Sequence, residues 1–292
     1  MSLKMPLYLL LMASGFCSFA DIMVKNDETI AFLGDSITQF GNAPDGYLHL
    51  IMDGLKRSGV NANMIPAGVS GNKSNQMLGR LDRDVISKKP DWMLLSCGVN
   101  DVGHGAKGVS LEDFKKNINT ILDKLQAAGI KVRILTPTLW ERNVSPGSEN
   151  NQKLEGYCEF LRKTATERKL PLADINLKMK KMIEKEKSKD VKNLKLTIDN
   201  LHMNGHGNQM MSAVVLEAFG IPSADIERYK KEWNKIPCMA PILNNFNAPA
   251  YKLNIDDYEI LRAEAEQKNM RVDELVKKIV SDHIEAQRKN KK

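Results

Sequence analysis

Three side chains in this sequence have the types and the spacing that ester hydrolysis requires. Ser36 follows an apolar run and a glycine, and Asp199 and His202 lie three residues apart much later in the chain. A serine hydroxyl is a weak nucleophile at neutral pH and needs a general base, a task that suits histidine. A carboxylate in the same turn can orient the imidazole. The sequence therefore predicts a catalytic triad of Ser36, His202 and Asp199.

Ester hydrolysis also needs hydrogen-bond donors for the oxyanion of the tetrahedral intermediate. Two glycine-punctuated polar loops, 67–74 and 98–101, follow predicted strands and offer such donors. We expect an oxyanion hole made by the backbone N–H of Ser36, the backbone N–H of Gly71 and the side-chain amide of Asn100.

Each of these residues also has a purely structural interpretation. Ser36 could cap the N terminus of a helix, and a lone histidine such as His202 is usually a loop residue with satisfied hydrogen bonds. Asn100 and Asp101 could form a turn pair, and of the two Asp101 is more typical of a structural role. Asp35 could cap or tie the neighbouring loops, and it is also a candidate for substrate binding. We expect His104 and His206 to be surface or rim residues.

The elements that must position these side chains alternate between strand and helix along the chain. Apolar runs predict strands over 30–33, 60–65, 92–97, 130–135 and 172–175. Helical spacing predicts helices over 47–58, 75–88, 111–128, 149–169, 177–187 and 204–219. Such alternation predicts a parallel sheet with right-handed crossovers and helices on both faces. Ligands bind at the carboxyl ends of such strands, where the polar loops are expected to converge.

Four blocks, in this order, carry a resemblance to a known family: Gly34-Asp-Ser-Ile-Thr38, Gly68-Val-Ser-Gly-Asn72, Gly98-Val-Asn-Asp101 and Asp199-Asn-Leu-His202. They resemble the SGNH (GDSL-type) esterases and acylhydrolases over about residues 28–220. The resemblance implies a three-layer, flavodoxin-like α/β/α sandwich, no metal and no cofactor. It also implies that the triad and oxyanion residues have the roles given above.

Three positions depart from the family pattern. Ile37 stands where the family's name has leucine, Pro66 where the second block often has asparagine, and Met203 where proline often follows the histidine. None of these residues takes part in the proton relay, so the expected chemistry is unchanged.

Substrate class is less closely defined by the sequence. No long apolar lid separates the blocks, which disfavours a lipase acting on aggregated lipid. Trp140 follows the fourth predicted strand and could stack on a sugar ring or simply pack within its loop. We expect hydrolysis of short acyl esters, first of all acetyl esters of carbohydrates. A lysophospholipase-like or thioesterase-like acylhydrolase, and a binding protein that keeps an esterase fold, are the alternatives.

Other enzyme classes fit the sequence less well. Asp35, Asn100, Asp101, His202 and His206 could be ligands of a two-metal phosphoesterase, but the D-x-H pairing expected near the first strand is absent. Dinucleotide binding is disfavoured because no G-x-G-x-x-G follows that strand.

The two ends of the chain are expected to lie outside the hydrolase domain, which we assign to residues 21–220. Residues 1–20 have the positive start, apolar stretch and small-residue cleavage site of a secretory signal. They predict a secreted or periplasmic protein, and after removal of this signal we expect no membrane span in the mature chain. The proline-rich stretch 221–250 is predicted to be a linker. Residues 251–292 predict a small strand-helix-helix module that weakly resembles ribbon-helix-helix units and could form a homodimer.

The chain is basic, with a net charge of +7 and a pI near 9.1. Its lysines are scattered along the sequence and form no cluster on one segment, so we expect a solvated surface and no nucleic-acid partner.

Overall fold

A computed structural model describes residues 22–141, 148–186, 196–236, 238–239 and 252–289. The predicted signal segment lies outside these residues. At the centre is a parallel sheet with the strand order β2-β1-β3-β4-β5. Its five strands are β1 (Thr29–Gly34), β2 (Asn63–Gly68), β3 (Trp92–Ser96), β4 (Lys131–Leu135) and β5 (Leu172–Ala173).

Helices connect the strands and cover both faces of the sheet. They are α1 (Ser36–Phe40), α2 (Tyr47–Arg57), α3 (Ser74–Asp84), α4 (Val99–Gly103), α5 (Leu111–Ala127), α6 (Glu149–Glu167), α7 (Ile175–Glu186), α8 (Gly205–Ala218) and α9 (Ser223–Trp233). Helices α3, α5 and α6 pack side by side in one layer, and α2, α7, α8 and α9 pack together in another. The predicted three-layer α/β/α sandwich is confirmed.

The strand order reverses beside β1. The chain leaves β1 toward β2 on one side and then returns to β3 on the other side of β1, so the loops after β1 and β3 diverge from a crevice at their carboxyl ends. Residues 30–33 of β1 are buried, as are all five residues of β3. Central parallel strands are covered on both faces, which explains why they appear in the sequence as unbroken apolar runs.

Strand β2 begins three residues later than its sequence pattern predicts, at Asn63 instead of Val60. It includes Pro66, which pairs in register with Phe32 of β1. Proline lacks the N–H that a second neighbouring strand would need, and it is tolerated here because β2 is at the edge of the sheet.

The prediction of a linker over 221–250 was wrong for Ser223–Trp233, which forms helix α9. The helix buries Ile226, Tyr229 and Trp233 in the main core. The Trp233 indole N–H also donates to Asp53 Oδ2 of α2 at 2.7 Å. The prolines suggested a linker, but the apolar residues at positions 226, 229 and 233 have the spacing of one helix face.

The C-terminal residues form a small separate unit. Strands β6 (Cys238–Met239) and β7 (Lys252–Leu253) pair in antiparallel fashion, and α10 (Ile255–Gln267) and α11 (Val272–Lys289) follow. Helices α10 and α11 enclose a core of four buried residues, Tyr258, Ala265, Val272 and Leu275. His206 of α8 lies 3.0 Å from Glu259 of α10, which joins this unit to the sandwich. No helix in the described ranges is long and apolar enough to cross a bilayer.

We expect Trp233→Ala to lower the free energy of unfolding by about 3–5 kcal/mol, because it leaves a cavity in the core and removes the hydrogen bond to Asp53. Urea denaturation measures this. Ile260→Ala, at an exposed site on α10, is the control and should change stability by less than about 0.5 kcal/mol. Equal effects of the two substitutions would show that α9 is not part of the core.

Candidate active site

Ser36 is the first residue of α1, directly after β1. Asp35 is the N-cap of this helix, and its Oδ1 accepts a hydrogen bond from the Ile37 N–H at 2.9 Å. The capping role that the sequence also allowed for Ser36 is therefore filled by Asp35, and the Ser36 hydroxyl is available for other partners. A β-carbon on Gly34 would lie 1.9 Å from Thr38 Oγ1, so this sharp turn requires glycine.

His202 lies in a loop that is closed at its base by an isolated bridge between Thr197 and Met203. The Ile198 N–H donates to the His202 carbonyl at 2.8 Å. Within the loop, Asp199 Oδ1 accepts from the backbone N–H groups of Leu201 and His202 at 3.0 and 2.8 Å. One carboxylate oxygen of Asp199 therefore folds the loop, and the other remains available for the imidazole.

The three predicted triad side chains are hydrogen-bonded in series. His202 Nε2 is 2.9 Å from Ser36 Oγ, and His202 Nδ1 is 2.6 Å from Asp199 Oδ2. Partial burial alone would raise the pKa of Asp199, but its hydrogen bonds with His202 and Leu201 outweigh this effect and hold the pKa below its usual value. An ionised carboxylate is the form that orients an imidazole and stabilises its protonated state.

The two loops predicted to donate to an oxyanion are joined by a hydrogen bond. Asn100, on α4, donates through Nδ2 to the Asn72 carbonyl at 3.1 Å. The second hydrogen of that amide is not used by this bond. Gly71 has φ +75°, and a β-carbon there would meet nothing within 4 Å, so glycine is needed for the backbone conformation and not for space.

Asp101 connects the loop after β3 to the N terminus of α3. Its Oδ1 accepts from the Ser74 N–H at 3.0 Å and from the Ser74 hydroxyl at 2.5 Å. Burial raises the pKa of Asp101, and the hydrogen bonds from Ser74 oppose that rise. Asp101 thus has the structural role that the sequence favoured.

Arg80 is a buried positioning residue that the sequence analysis missed. Its guanidinium donates to the Gly34 carbonyl at 2.8 Å, to the Ala67 carbonyl at 2.9 Å and to Asn72 Oδ1 at 2.7 Å. It therefore joins the ends of β1 and β2 to the loop that contains Gly71. The only signal in the sequence is its place beside Leu81 on the apolar face of α3, where a charged residue needs partners.

Phe40, which contacts His202, is a second residue near the site that the sequence did not indicate. Its ring centroid is 5.0 Å from that of His202, and the residue is 52% exposed. An apolar groove of about 310 Å³ lies alongside, lined by α1 and the loop after it together with Ile198 and Met203. An exposed aromatic ring and an apolar groove therefore adjoin the imidazole.

The two candidate substrate contacts have different surroundings. Asp35 is 2% exposed, which leaves little surface for a substrate. Trp140 is half-buried, and its ring lies against Gly103 at the end of α4, the helix that carries Asn100. Its backbone N–H and carbonyl are both hydrogen-bonded to the Asn151 side chain at 3.0 Å. The loop of Trp140 is thus fixed beside α4, the helix that carries Asn100.

The two other histidines considered in the sequence are not part of the hydrogen-bonded series. His104 is exposed after α4, and His206 is paired with Glu259 of the C-terminal unit. Across the described part of the chain, no group of three or more His, Cys, Asp and Glu side chains is arranged to hold a metal ion.

Comparison with known proteins gives one family and several acetylxylan esterases. Residues 32–210 match the model of the GDSL-like Lipase/Acylhydrolase family. An acetylxylan esterase of Geobacillus stearothermophilus is 22% identical over 68% of this chain and 96% of its own. The crystal structure of the acetyl xylan esterase AlAXEase superimposes with a TM-score of 0.62 at 31% identity, over 65% of this chain and 98% of that one. Esterase TesA of Pseudomonas aeruginosa is 28% identical over 37% of this chain and 53% of its own.

Asp35 should make stability depend on pH. Burial raises the pKa of Asp35 from 3.8 to about 7, because hydrogen bonding from Ile37 compensates only in part. The folded state therefore holds a proton that the unfolded chain has lost between about pH 4 and 7, and the free energy of unfolding falls as pH rises through that range.

We expect Asp35→Asn to remove this dependence, since asparagine can still accept from the Ile37 N–H. Between pH 4 and pH 8, the free energy of unfolding of the variant should rise by up to about 4 kcal/mol relative to that of the wild type. Urea titrations at several pH values measure the difference, with Asp282→Asn on exposed α11 as the control. Parallel curves for Asp35→Asn and the wild type would contradict a raised pKa.

Proposed function

Since the chain belongs to the GDSL-like lipase/acylhydrolase family, we propose that it removes acetyl groups from carbohydrates with Ser36 as its nucleophile. It is a carboxylic ester hydrolase of the serine type. The observation that carries the proposed site is the hydrogen-bonded series Ser36 Oγ, His202 and Asp199, with distances of 2.9 and 2.6 Å.

In the proposed reaction, Ser36 Oγ attacks the ester carbonyl carbon while His202 Nε2 takes the hydroxyl proton. The carbonyl oxygen becomes an oxyanion that accepts from the N–H groups of Ser36 and Gly71 and from the Asn100 amide. As the tetrahedral intermediate collapses, the sugar oxygen leaves and takes the proton from His202. An acetyl group then remains on Ser36.

Deacylation repeats these steps with water. His202 takes a proton from the attacking water, whose oxygen bonds to the acetyl carbon. The second tetrahedral intermediate expels Ser36 Oγ, which recovers its proton from His202. Acetate leaves, and the free serine is restored. Asp199 remains ionised throughout and stabilises the imidazolium that forms in each half.

Two features support a carbohydrate ester as the substrate. Several of the similar proteins are acetylxylan esterases. The exposed ring of Phe40 beside His202 offers a flat apolar surface to the C–H face of a sugar ring, and Trp140 is a second candidate near Asn100. The apolar groove beside Phe40 could instead receive a longer acyl chain, which would favour a lysophospholipase-like or thioesterase-like activity.

Two further parts of the proposal concern the ends of the chain. We propose that residues 1–20 are removed on secretion, which N-terminal sequencing of the exported protein tests. Dimerisation through residues 251–292 stays a prediction, and the molar mass in solution, measured by light scattering, decides it.

The first prediction for activity is that p-nitrophenyl acetate is hydrolysed faster than the butyrate and octanoate esters. Ser36→Ala should lower kcat by at least about a thousandfold, since it removes the nucleophile. A chelator should have no effect. Rates measured with each ester distinguish the proposed short-acyl activity from its alternatives. Faster octanoate hydrolysis would favour the longer-chain activity, and a rate unaffected by Ser36→Ala would exclude the serine mechanism.

A second prediction concerns sugar recognition. Phe40→Leu keeps an apolar side chain against His202 but removes the flat ring. We expect KM for acetylated xylooligosaccharides to rise by about two- to tenfold, and kcat/KM for p-nitrophenyl acetate to stay within about twofold. Steady-state kinetics on both substrates test this. Trp140→Leu is the parallel variant at the second candidate contact, and equal losses on both substrates would argue against a sugar-binding role for Phe40.

A further inference from the structure

We propose that Glu141 is a positioning residue that holds the loop of Asp199 and His202 against the nucleophile. Glu141 follows β4 by six residues and is only 6% exposed. Its carboxylate accepts from the Leu196 N–H at 3.0 Å, from the Thr197 N–H at 2.9 Å and from the Thr197 hydroxyl at 2.6 Å. This inference rests on the proposed catalytic function of His202.

Glu141 contacts the loop at two places. The carboxylate binds its base, where Thr197 pairs with Met203, the residue that follows His202. The Glu141 backbone N–H donates to the Asn200 carbonyl at 3.0 Å, between Asp199 and His202. A single residue therefore restrains both the entry of the loop and the segment that carries the imidazole.

The segment that carries Glu141 is itself held in place by hydrogen bonds. Trp140, the preceding residue, has its N–H and carbonyl bound to the Asn151 side chain on α6. Position 141 therefore directly follows a residue that is fixed to α6. The loop has little regular structure of its own, so its position relative to Ser36 depends on such contacts.

The chemistry of the contact requires a carboxylate. An ionised carboxylate accepts through both oxygens and forms hydrogen bonds stronger than those of a neutral amide. Glutamine has the same shape but would turn an NH₂ group toward one of the N–H donors at the base. The loop would then shift, and the 2.9 Å contact between His202 Nε2 and Ser36 Oγ would lengthen.

The test compares Glu141→Gln with Glu28→Gln in the full-length protein. Glu28 is a matched control because its carboxylate also accepts three hydrogen bonds, from Lys25 N–H, Trp92 Nε1 and Lys131 Nζ. It precedes β1, so it lies at the opposite end of the sheet from Ser36. Two readouts are used: steady-state kinetics on p-nitrophenyl acetate, and the downfield proton resonance of the hydrogen bond between His202 Nδ1 and Asp199, assigned by its loss in His202→Ala.

We expect Glu141→Gln to lower kcat by about ten- to a hundredfold with KM within about threefold, because small displacements of catalytic groups are costly. The downfield resonance should broaden or shift while the protein remains folded. Glu28→Gln should leave kcat and the resonance unchanged at a similar loss of stability. An unchanged kcat and resonance in Glu141→Gln, or equal losses in both variants, would overturn the proposal.

Two additions keep the result decisive. If Glu141→Gln does not fold, Thr197→Val removes only the hydroxyl donor and should still lower kcat several-fold and shift the resonance; a wild-type resonance and kcat in that variant would overturn the proposal. The resonance also separates the two hypotheses, since a wild type without esterase activity would refute the proposed function, whereas the comparison of resonances would still decide the role of Glu141.

Discussion

The hydrogen bond between Ser36 and His202 joins residues that are 166 positions apart, and it is the contact on which the rest of the site depends. Such a bond weakens steeply when its length or angle changes. Neither partner belongs to a long element: Ser36 begins a five-residue helix, and His202 lies in a loop closed by a single bridge. The precision of the site must therefore come from the side chains that surround these two short segments.

Two buried charged side chains bind the two segments that this contact joins, Arg80 at the end of β1 and Glu141 at the loop of His202. The Arg80 guanidinium donates to backbone carbonyls that end β1 and β2, and the Glu141 carboxylate accepts from backbone N–H groups at the start of the His202 loop. A guanidinium suits carbonyls and a carboxylate suits N–H groups. In each case backbone groups supply part of the hydrogen bonding, and side chains supply the rest: Arg80 also binds Asn72 Oδ1 and Asp84, and Glu141 also binds the Thr197 hydroxyl. By our inference, Glu141 thereby positions the general base His202. Arg80 similarly holds the turn that carries Ser36 next to the loop that contains Gly71.

The family, the sheet and the order of its elements could be predicted because they depend on patterns that lie next to one another in the sequence. The apolar runs of β1 and β3 and the polar blocks after them are local signals, and the parallel arrangement brings their ends together. Arg80 and Glu141 could not be identified in this way, since the backbone groups of Gly34 and Thr197 that they bind are 46 and 56 residues away in the sequence. Helix α9 was missed because the prolines elsewhere in the stretch 221–250 dominate the pattern, although the helix itself contains none. The start of β2 was misplaced because register with β1, and not its own alternation, decides which residues pair.

The C-terminal unit has a core of only four fully buried residues between α10 and α11, so it contributes little to its own stability. Chains of fewer than about 40 residues rarely remain folded without additional support. Here part of that support comes from α8, through the pair of His206 and Glu259. The unit should therefore open by local unfolding, with fast amide exchange in α11, while the amides of β1 and β3 stay protected. A protease would then remove the C-terminal unit and leave a hydrolase domain whose central sheet is still folded.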